Sequence, residues 1–415
     1  AVLRLQPRVL VAAGTRPPEE PVAAPIRELR DLAEARLTLA PLAVDDLPAL
    51  LARRLGTVSV PAELVQFVLQ RAEGHPFYSE ETVLALREAG ILEIRNGACR
   101  IVTGPGGLTA VNFPDSVQGV ITSRLDRLPA HEQLMVKTAS VIGRVFAYRT
   151  LHDVYPVMED RPRLRDGLEH VERLDLTRLE TPEPELAYLF KHVITQEVAY
   201  GSLLFAQRRQ LHRAVAEWLE SRQPEARESQ APLLAHHWDH AGDRERTVEY
   251  LERAGAQAVR SFANREAVGF LTRALEVAPD LERSDRSRVA NWEHLLGEAL
   301  IHLSEYNAAG SHLRRTLILS HYPAPTSRPT ALRRLAAQIL IQAAHRVWPT
   351  RRAGSVDAPA RLDLTRAAAA QKRLAEVAWF NDDLLQMLCG ILTSLNLAER
   401  AGATREMADG YCSMG

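Results

Sequence analysis

The pattern of hydrophobic and polar positions changes from strand-like to helical within the first hundred residues. An unbroken apolar run at 8–14 ends at Gly14, as expected of a strand buried on both faces of a parallel sheet, and a second, short strand is predicted at 36–39. Helical periodicity follows, with three helices that begin near Asp45, Pro61 and Pro76 and end near Gly56, Gly74 and Gly90. This order predicts the end of an α/β domain followed by a small helical lid.

The middle of the chain alternates between helices and turn-rich segments. Residues 95–112 contain many turn residues and predict a loop or hairpin, and a helix is expected from Pro114 to Leu128. Between His131 and about Leu204 the pattern gives three helices and then two short strands around the turn 181–184. Three helices followed by a two-stranded wing predict a winged-helix fold.

From Gln207 onward the chain is almost wholly helical and contains a repeat. Small and large apolar residues follow the spacing of the 34-residue tetratricopeptide pattern, at Leu251, Ala254, Gly255, Ala258, Ala267, Leu271 and Ala274, with a looser copy at Gly297, Leu300, Ala309 and Leu313. Small residues let antiparallel helices approach closely, and each pair needs a neighbour to bury its outer face. The pattern predicts a tetratricopeptide-like α-solenoid, with a generic stack of α-hairpins as the alternative. The apolar run 335–344 predicts a buried helix within it.

Composition excludes several classes of protein. The 415 residues include 51 Lys and Arg and 52 Asp and Glu, so the net charge of −1 gives no general attraction to nucleic acid or anionic lipid. Hydrophobic residues make up 46% of the chain, which is typical of globular proteins. Three widely spaced cysteines give neither a disulfide framework nor a zinc motif, and no apolar run is long enough to span a membrane. We therefore expect a cytoplasmic protein that is not inserted in a membrane.

The sequence contains no complete catalytic motif. It lacks a phosphate-binding loop of the form GxxxxGK[ST] and an HExxH zinc motif, and no Ser-His-Asp triad can be assembled. His236 and His240 have a spacing that a metal ion could use, but they lie beside Trp238 on one predicted helix, where a partly exposed helix face is the simpler interpretation. No metal site and no catalytic residue are predicted in this chain.

Two short segments have the chemistry of a nucleotide site. Arg16 follows the first predicted strand, and the ends of such strands border the ligand crevice of α/β sheets, where an arginine suits a phosphate. Gly74 and Pro76 place a tight turn and a proline ring at a helix start, which can close over a flat base. The alternatives are a surface arginine and an ordinary glycine C-cap followed by a first-turn proline.

Several blocks together resemble STAND-type AAA-like ATPases. Residues 37–55 and 71–92 resemble the second half of the ATPase domain, and 113–146 with 190–220 resemble its helical linker and winged helix. Residues 379–411 are similar to the tetratricopeptide region of proteins that carry class III adenylate or guanylate cyclase domains. The resemblance implies a fragment of a longer protein, in which the phosphate-binding loop, the acids that hold Mg²⁺ and the cyclase domains precede residue 1.

The resemblance also assigns roles to individual residues. Arg16 matches the sensor arginine that reads the terminal phosphate of ATP, and Pro76 matches the proline that packs on adenine, with His75 where asparagine is usual. His192 matches the histidine that contacts the inner phosphate in the closed, ADP-bound state, with a local hydrogen bond to a side chain one turn later as the alternative. Gly74 completes the expected set of residues that bind ATP or ADP.

These observations give one expected function and two alternatives. We expect a nucleotide-switched regulatory region of a multidomain signalling ATPase, linked to a cyclase, that binds a protein partner through its repeats. The alternatives are the regulatory region of a LuxR-type transcription activator and a scaffold with a decayed nucleotide site. By itself the chain should show neither ATPase nor cyclase activity. The expected domains are 1–44 (the remnant of the α/β core), 45–112 (the lid), 113–205 (the linker and winged helix) and 206–415 (the repeats).

Binding to DNA is not expected, although winged helices often bind it. Affinity for duplex DNA comes mainly from Lys and Arg side chains that neutralise phosphates. The predicted winged helix carries many acids, namely Glu159, Asp160, Glu169, Glu172, Asp175, Glu180, Glu183 and Glu185. Adenine nucleotide and a protein are therefore the expected partners.

Overall fold

A computed structural model describes residues 35–102, 113–182, 185–222, 228–347 and 357–402, together with residues 12, 14, 27, 30, 31, 108 and 407. The chain forms two compact units, Ala1–Arg124 and Leu125–Gly415, and the described residues are mostly helical, as predicted. The first predicted strand and Arg16 lie outside the described residues, apart from Ala12 and Gly14. The four predicted domains stay predictions.

The prediction of a strand at 36–39 is wrong. Residues 35–43 have no regular secondary structure, and Leu37 and Leu39 are 93% and 94% exposed. A strand needs a partner for its backbone groups, and none of the described strands pairs with this segment. The alternation of Leu37, Thr38 and Leu39 therefore does not mark a core face.

The first unit packs three helices against a small hairpin. Its elements are α1 (Leu47–Leu55), α2 (Ala62–Ala72), α3 (Pro76–Glu88), β1 (Leu92–Arg95) and β2 (Ala98–Ile101), and α4 (Val117–Asp126) follows. The two strands are antiparallel and turn at Asn96 and Gly97, a dipeptide that suits a tight hairpin. The core consists of aliphatic side chains from the three helices, among them Leu47, Leu51, Leu64, Val68 and Leu86.

The second unit begins with helices around a three-stranded sheet. Its first elements are α5 (Ala130–Ile142), β3 (Val145–Ala147), α6 (Tyr148–Val154), a 3₁₀ helix (Met158–Arg163), α7 (Leu164–Arg173), β4 (Thr177–Thr181) and β5 (Ala187–Phe190). The antiparallel strands have the order β3-β5-β4. Strand β3 was not predicted, because three residues are too few to show a period.

Helices make up the rest of the second unit. They are α8 (Val193–Gly201), α9 (Phe205–Arg222), α10 (Ala231–Ala241), α11 (Arg244–Arg260), α12 (Asn264–Val277), α13 (Leu281–Ser284), α14 (Arg286–His302), α15 (Tyr306–Leu319), α16 (Arg328–Val347), α17 (Ala358–Phe380) and α18 (Leu384–Ala401). Neighbouring helices pack in sequence from α9 to α12, and α15 packs on α17. This successive packing is typical of a helical solenoid.

Two hairpins of the solenoid are copies of one unit. In each, a helix of 17 residues (α11, α14) precedes one of 14 residues (α12, α15). Asp243 and Asp285 cap the first helix of each, accepting hydrogen bonds from the backbone N–H three residues later. The segment 278–285, which contains α13, separates the two copies. Gly297 therefore follows Gly255 by 42 positions (297 − 255) rather than 34, which explains why the second copy fits the expected spacing loosely.

The prediction of a buried helix at 335–344 is wrong. The helix forms, as part of α16, but Ile339, Leu340 and Ile341 are exposed, whereas Gln342 is buried. The side that faces α18 carries the polar residues. A count of apolar residues cannot distinguish this arrangement from a buried helix, because it ignores which side has a neighbour.

Candidate functional site

The turn before α3 requires glycine at position 74. Gly74 has φ of +76°, a left-handed conformation that side chains rarely adopt. A Cβ added there would lie 2.7 Å from the carbonyl oxygen of Leu42 and 3.1 Å from Cβ of Pro41. The backbone N–H of Leu42 donates to the carbonyl oxygen of Gly74 at 2.8 Å. The segment at 41–42 and the turn at Gly74 therefore form one contact that only a glycine admits.

His75 and Pro76 form the start of α3, where His75 caps the helix and both side chains are accessible to solvent. Nδ1 of His75 accepts a hydrogen bond from the N–H of Tyr78 at 3.3 Å, which is the capping role that an asparagine side chain often serves. Pro76 occupies the first turn, where its missing N–H costs nothing. Both side chains are exposed. The proline ring is thus held by its own helix and presents an apolar face to solvent.

A buried ion-pair cluster attaches α3, the helix that follows this turn, to Arg124 of α4. The guanidinium of Arg124 donates to Glu81 at 2.5 Å and to both carboxylate oxygens of Glu88, the shortest of these at 2.6 Å. The side chains of Arg124 and Glu81 are 1% and 2% exposed. Burial raises the pKa of Glu81, and Arg124 opposes that shift. Such a cluster fixes geometry, because each charge is costly to bury without its partner.

His192 is the N-cap residue of α8 and lies two positions after the end of β5. Its backbone is extended, its carbonyl accepts from Thr195 N–H at 3.1 Å, and its side chain makes no capping hydrogen bond to the helix. The side-chain amide nitrogen of Gln196, one turn later, donates to the carbonyl of Ser140 at 2.9 Å. The predicted helix therefore begins one residue after His192.

The four predicted nucleotide residues lie in different parts of the chain. Gly74 and Pro76 share a turn of the first unit, as the sequence predicted. Arg16 lies outside the described residues, and His192 belongs to the second unit. The individual roles of the four residues stay predictions.

Sequence reasoning missed one member of a histidine cluster. His212, on α9, joins His236, His237 and His240 of α10, with its Nδ1 2.9 Å from Nδ1 of His237. Its ring centroid lies 4.8 Å from that of His240, and Tyr200 Oη is 3.0 Å from its Nε2. No spacing along the chain places His212 with the other three histidines. Only knowledge that α9 packs against α10 could have predicted that it belongs to the cluster.

Burial keeps the centre of this cluster uncharged. Burial, followed by the charge of His237, lowers the pKa of His212 to about 2, and burial lowers the pKa of His237 to about 3. Among the residues that the structure describes, no group of three or more His, Cys, Asp or Glu side chains could hold a metal ion. The cluster is therefore a packed contact whose two central imidazoles, those of His212 and His237, are neutral.

A cavity of about 430 Å³ lies between α10, α11 and α12. Arg273 crosses it from α12 to α10, where its Nε and Nη2 donate to the two carboxylate oxygens of Asp239, each at 3.1 Å. The lining mixes apolar and charged side chains, namely Pro232, Ala235, His236, Asp239, Leu251, Glu266, Gly269, Phe270 and Arg273. Such a surface can hold a short peptide by an apolar anchor and a few polar contacts.

Comparison with known proteins gives three matches. A family model described as a domain of unknown function (DUF8739) matches residues 44–100. An uncharacterised protein of Rhizobium meliloti (strain 1021) is 28% identical over 168 residues, which is 40% of this chain and 16% of that protein. A Signal Transduction ATPase with Numerous Domains (STAND) protein with a tetratricopeptide repeat sensor, from Pyrococcus horikoshii, matches 90% of this chain and 57% of its own length, with 11% identity and a TM-score of 0.29.

The chain thus spans about a sixth of the curated relative and just over half of the solved structure that it matches. No described helix has the length and hydrophobicity that crossing a membrane requires.

Proposed function

We propose that this chain is a nucleotide-switched regulatory and partner-binding region of a signalling ATPase. The observation that carries the proposal is the turn at Gly74, His75 and Pro76. It holds an exposed proline ring at a helix start, closed by a glycine that contacts Leu42 and capped by a histidine. An adenine ring can stack on such a face, and the adjoining backbone can read its edge.

In this proposal each half of the chain has one task. Arg16, Gly74 and Pro76 bind the nucleotide, ATP or ADP, and Mg²⁺ is held by residues outside this chain. The segment from His131 to about Leu204 is a winged helix, supported by its element order and its sheet order β3-β5-β4. Through His192 it contacts the inner phosphate of ADP. Positioning of phosphates and neutralisation of their charge supply nearly all catalysis of phosphoryl transfer. The sequence lacks the phosphate-binding loop that would do this, so no residue of this chain is assigned a role in hydrolysis.

The solenoid binds a protein partner and biases this switch. The support is the repeated hairpin unit and the mixed apolar and charged cavity beside Phe270 and Arg273. A partner that binds the two states with different affinity shifts their populations by that difference. The link to adenylate or guanylate cyclase domains and a cytoplasmic location complete the proposal.

The proposal predicts that Pro76→Ser weakens ADP binding. Loss of a stacked ring removes about 1 kcal/mol, so Kd should rise about fivefold. The measurement is a titration of the full-length gene product with a fluorescent ADP. Pro61→Ser is the matched control, because Pro61 also stands at a helix start in the first unit and is outside the proposed site.

Wild-type affinity for ADP in the Pro76 variant, or an equal loss of affinity in the Pro61 control, would contradict the proposed contact of Pro76 with adenine. Thermal unfolding of both variants shows whether either substitution disturbs the fold instead.

A further inference from the structure

One face of α16 is apolar, exposed and spaced to receive another helix. Leu332, Ala336, Ile339 and Ala343 follow one another at intervals of four, three and four residues, which is the spacing of a coiled-coil seam. All four are exposed, as are Leu340 and Val347, at 71% and 66%. Large and small residues alternate along this stripe, so it offers both projections and the recesses between them.

The opposite face of α16 already has its partner. Gln342 donates to Asn396 at 2.7 Å and to Glu399 at 3.1 Å, and Asn396 donates to Gln338 at 2.6 Å. His345 also contacts Glu399. These bonds attach α16 to α18 by its polar side. The apolar stripe therefore points away from α18, the helix that holds α16 in place.

The charge of α16 identifies the kind of partner. The helix contains four arginines and no Asp or Glu. Arg328 and Arg333 are exposed, and neither forms an ion pair with a residue that the structure describes. Arg334 differs, because its guanidinium donates to the carbonyl oxygen of Pro323. A helix with acidic side chains beside its own apolar stripe would complement this surface.

Charge and shape argue against two other occupants. A second copy of the chain would place arginines against arginines along the seam, which is repulsive. A lipid surface favours aromatic and large aliphatic residues on a helix's apolar face, whereas this stripe has no aromatic residue and two alanines.

We propose that α16 docks an amphipathic α-helix of a partner protein, with acidic residues flanking the apolar stripe of that helix. The docked helix would cover Leu332, Ile339 and Leu340 and pair with Arg333. The inference rests on the proposed partner-binding function and names its surface, which is separate from the cavity beside Arg273. It does not depend on nucleotide, so the ADP titration and the test below fail independently.

The test uses a synthetic peptide helix as the probe. The peptide carries Leu at its seam positions and Glu beside them, and its control carries Lys in place of Glu. Fluorescence anisotropy with the whole chain should give micromolar binding of the acidic peptide and at least tenfold weaker binding of the basic one. Ile339→Glu should weaken binding of the acidic peptide at least tenfold.

Leu362→Glu is the matched variant, since Leu362 is an exposed leucine on α17, and it should bind the peptide like wild type. Arg333→Glu should weaken the acidic peptide and strengthen the basic one. Several outcomes would overturn the proposal: equal affinity for both peptides, unchanged binding by Ile339→Glu, a dimer of the chain that Ile339→Glu dissociates, or binding to anionic vesicles that Ile339→Glu abolishes.

Discussion

Gly255 and Gly297 set how closely the two helices of each repeated hairpin approach. A Cβ added at either residue would lie 2.7 Å from the side chain of a leucine in the second helix, Leu271 in one copy and Leu313 in the other. Both leucines are fully buried and have little room to move. The sequence placed these four residues correctly in a packing pattern, and the structure explains why two of them are glycine.

Gly255→Ala should therefore destabilise the second unit by about 1–3 kcal/mol, because the added methyl group forces Leu271 out of its position. Gly269→Ala, in α12 of the same hairpin, is the control. No atom lies within 4 Å of its added Cβ, so that variant should be neutral or more stable by up to about 1 kcal/mol. Urea unfolding curves measure both. Equal stability of the two variants would show that the helices can separate at little cost.

The histidine cluster predicts that stability depends on pH. His212 and His237 have folded pKa values of about 2 and 3, below their ordinary value, so below about pH 6.5 the unfolded chain binds protons that the folded chain refuses. Their contribution is complete above that pH and is lost as the pH falls toward the folded values. Between pH 7 and 5 the loss is about 2 kcal/mol per histidine.

Urea unfolding at a series of pH values measures this loss. His212→Gln should flatten the dependence, whereas His302→Gln, at an exposed position of α14, should leave it unchanged. A pH dependence that is identical in wild type and His212→Gln would contradict the assignment.

At the scale of elements, the sequence predicted features that depend on nearby residues in the chain. It missed features that depend on packing or pairing with another element. Helix ends at α1, α2 and α3 follow from prolines and glycines, so they could be predicted to within a few residues. Strand β3 exists because it pairs with β5, and the exposed stripe of α16 exists because α18 takes its polar side. Neither pairing leaves a periodic signal in the sequence.

The candidate site shows the same division. The turn at Gly74 and Pro76 could be predicted, because a left-handed glycine and a first-turn proline are local requirements. The participation of His212 in the histidine cluster could not, because it depends on how α9 packs against α10.

The cluster around Arg124 predicts that α3 depends on a single buried arginine. Arg124→Ala would leave Glu81 buried without its partner, at a cost of about 3–5 kcal/mol. Hydrogen exchange of the backbone amides of α3 measures this in the whole chain, and protection should fall there. Arg53→Ala, at an exposed position of α1, is the control and should change protection little. Wild-type protection in Arg124→Ala would mean that the aliphatic core alone fixes the helix.

At the scale of the whole molecule, we propose that the first unit binds nucleotide and that the second unit binds a partner. The absence of useful binding to duplex DNA, expected from the acidic residues between 159 and 185, remains a prediction. The central claim is that His192, in the second unit, contacts a nucleotide bound by the first.

The rate at which ADP leaves the full-length gene product tests this claim most directly. We expect His192→Ala to release ADP faster than wild type, with little change in thermal unfolding, and Arg16→Ala to alter ATP binding. If ADP affinity and release rate stay at wild-type values in His192→Ala while Arg16→Ala alters ATP binding, His192 has a structural role and the proposed link between the two units is wrong.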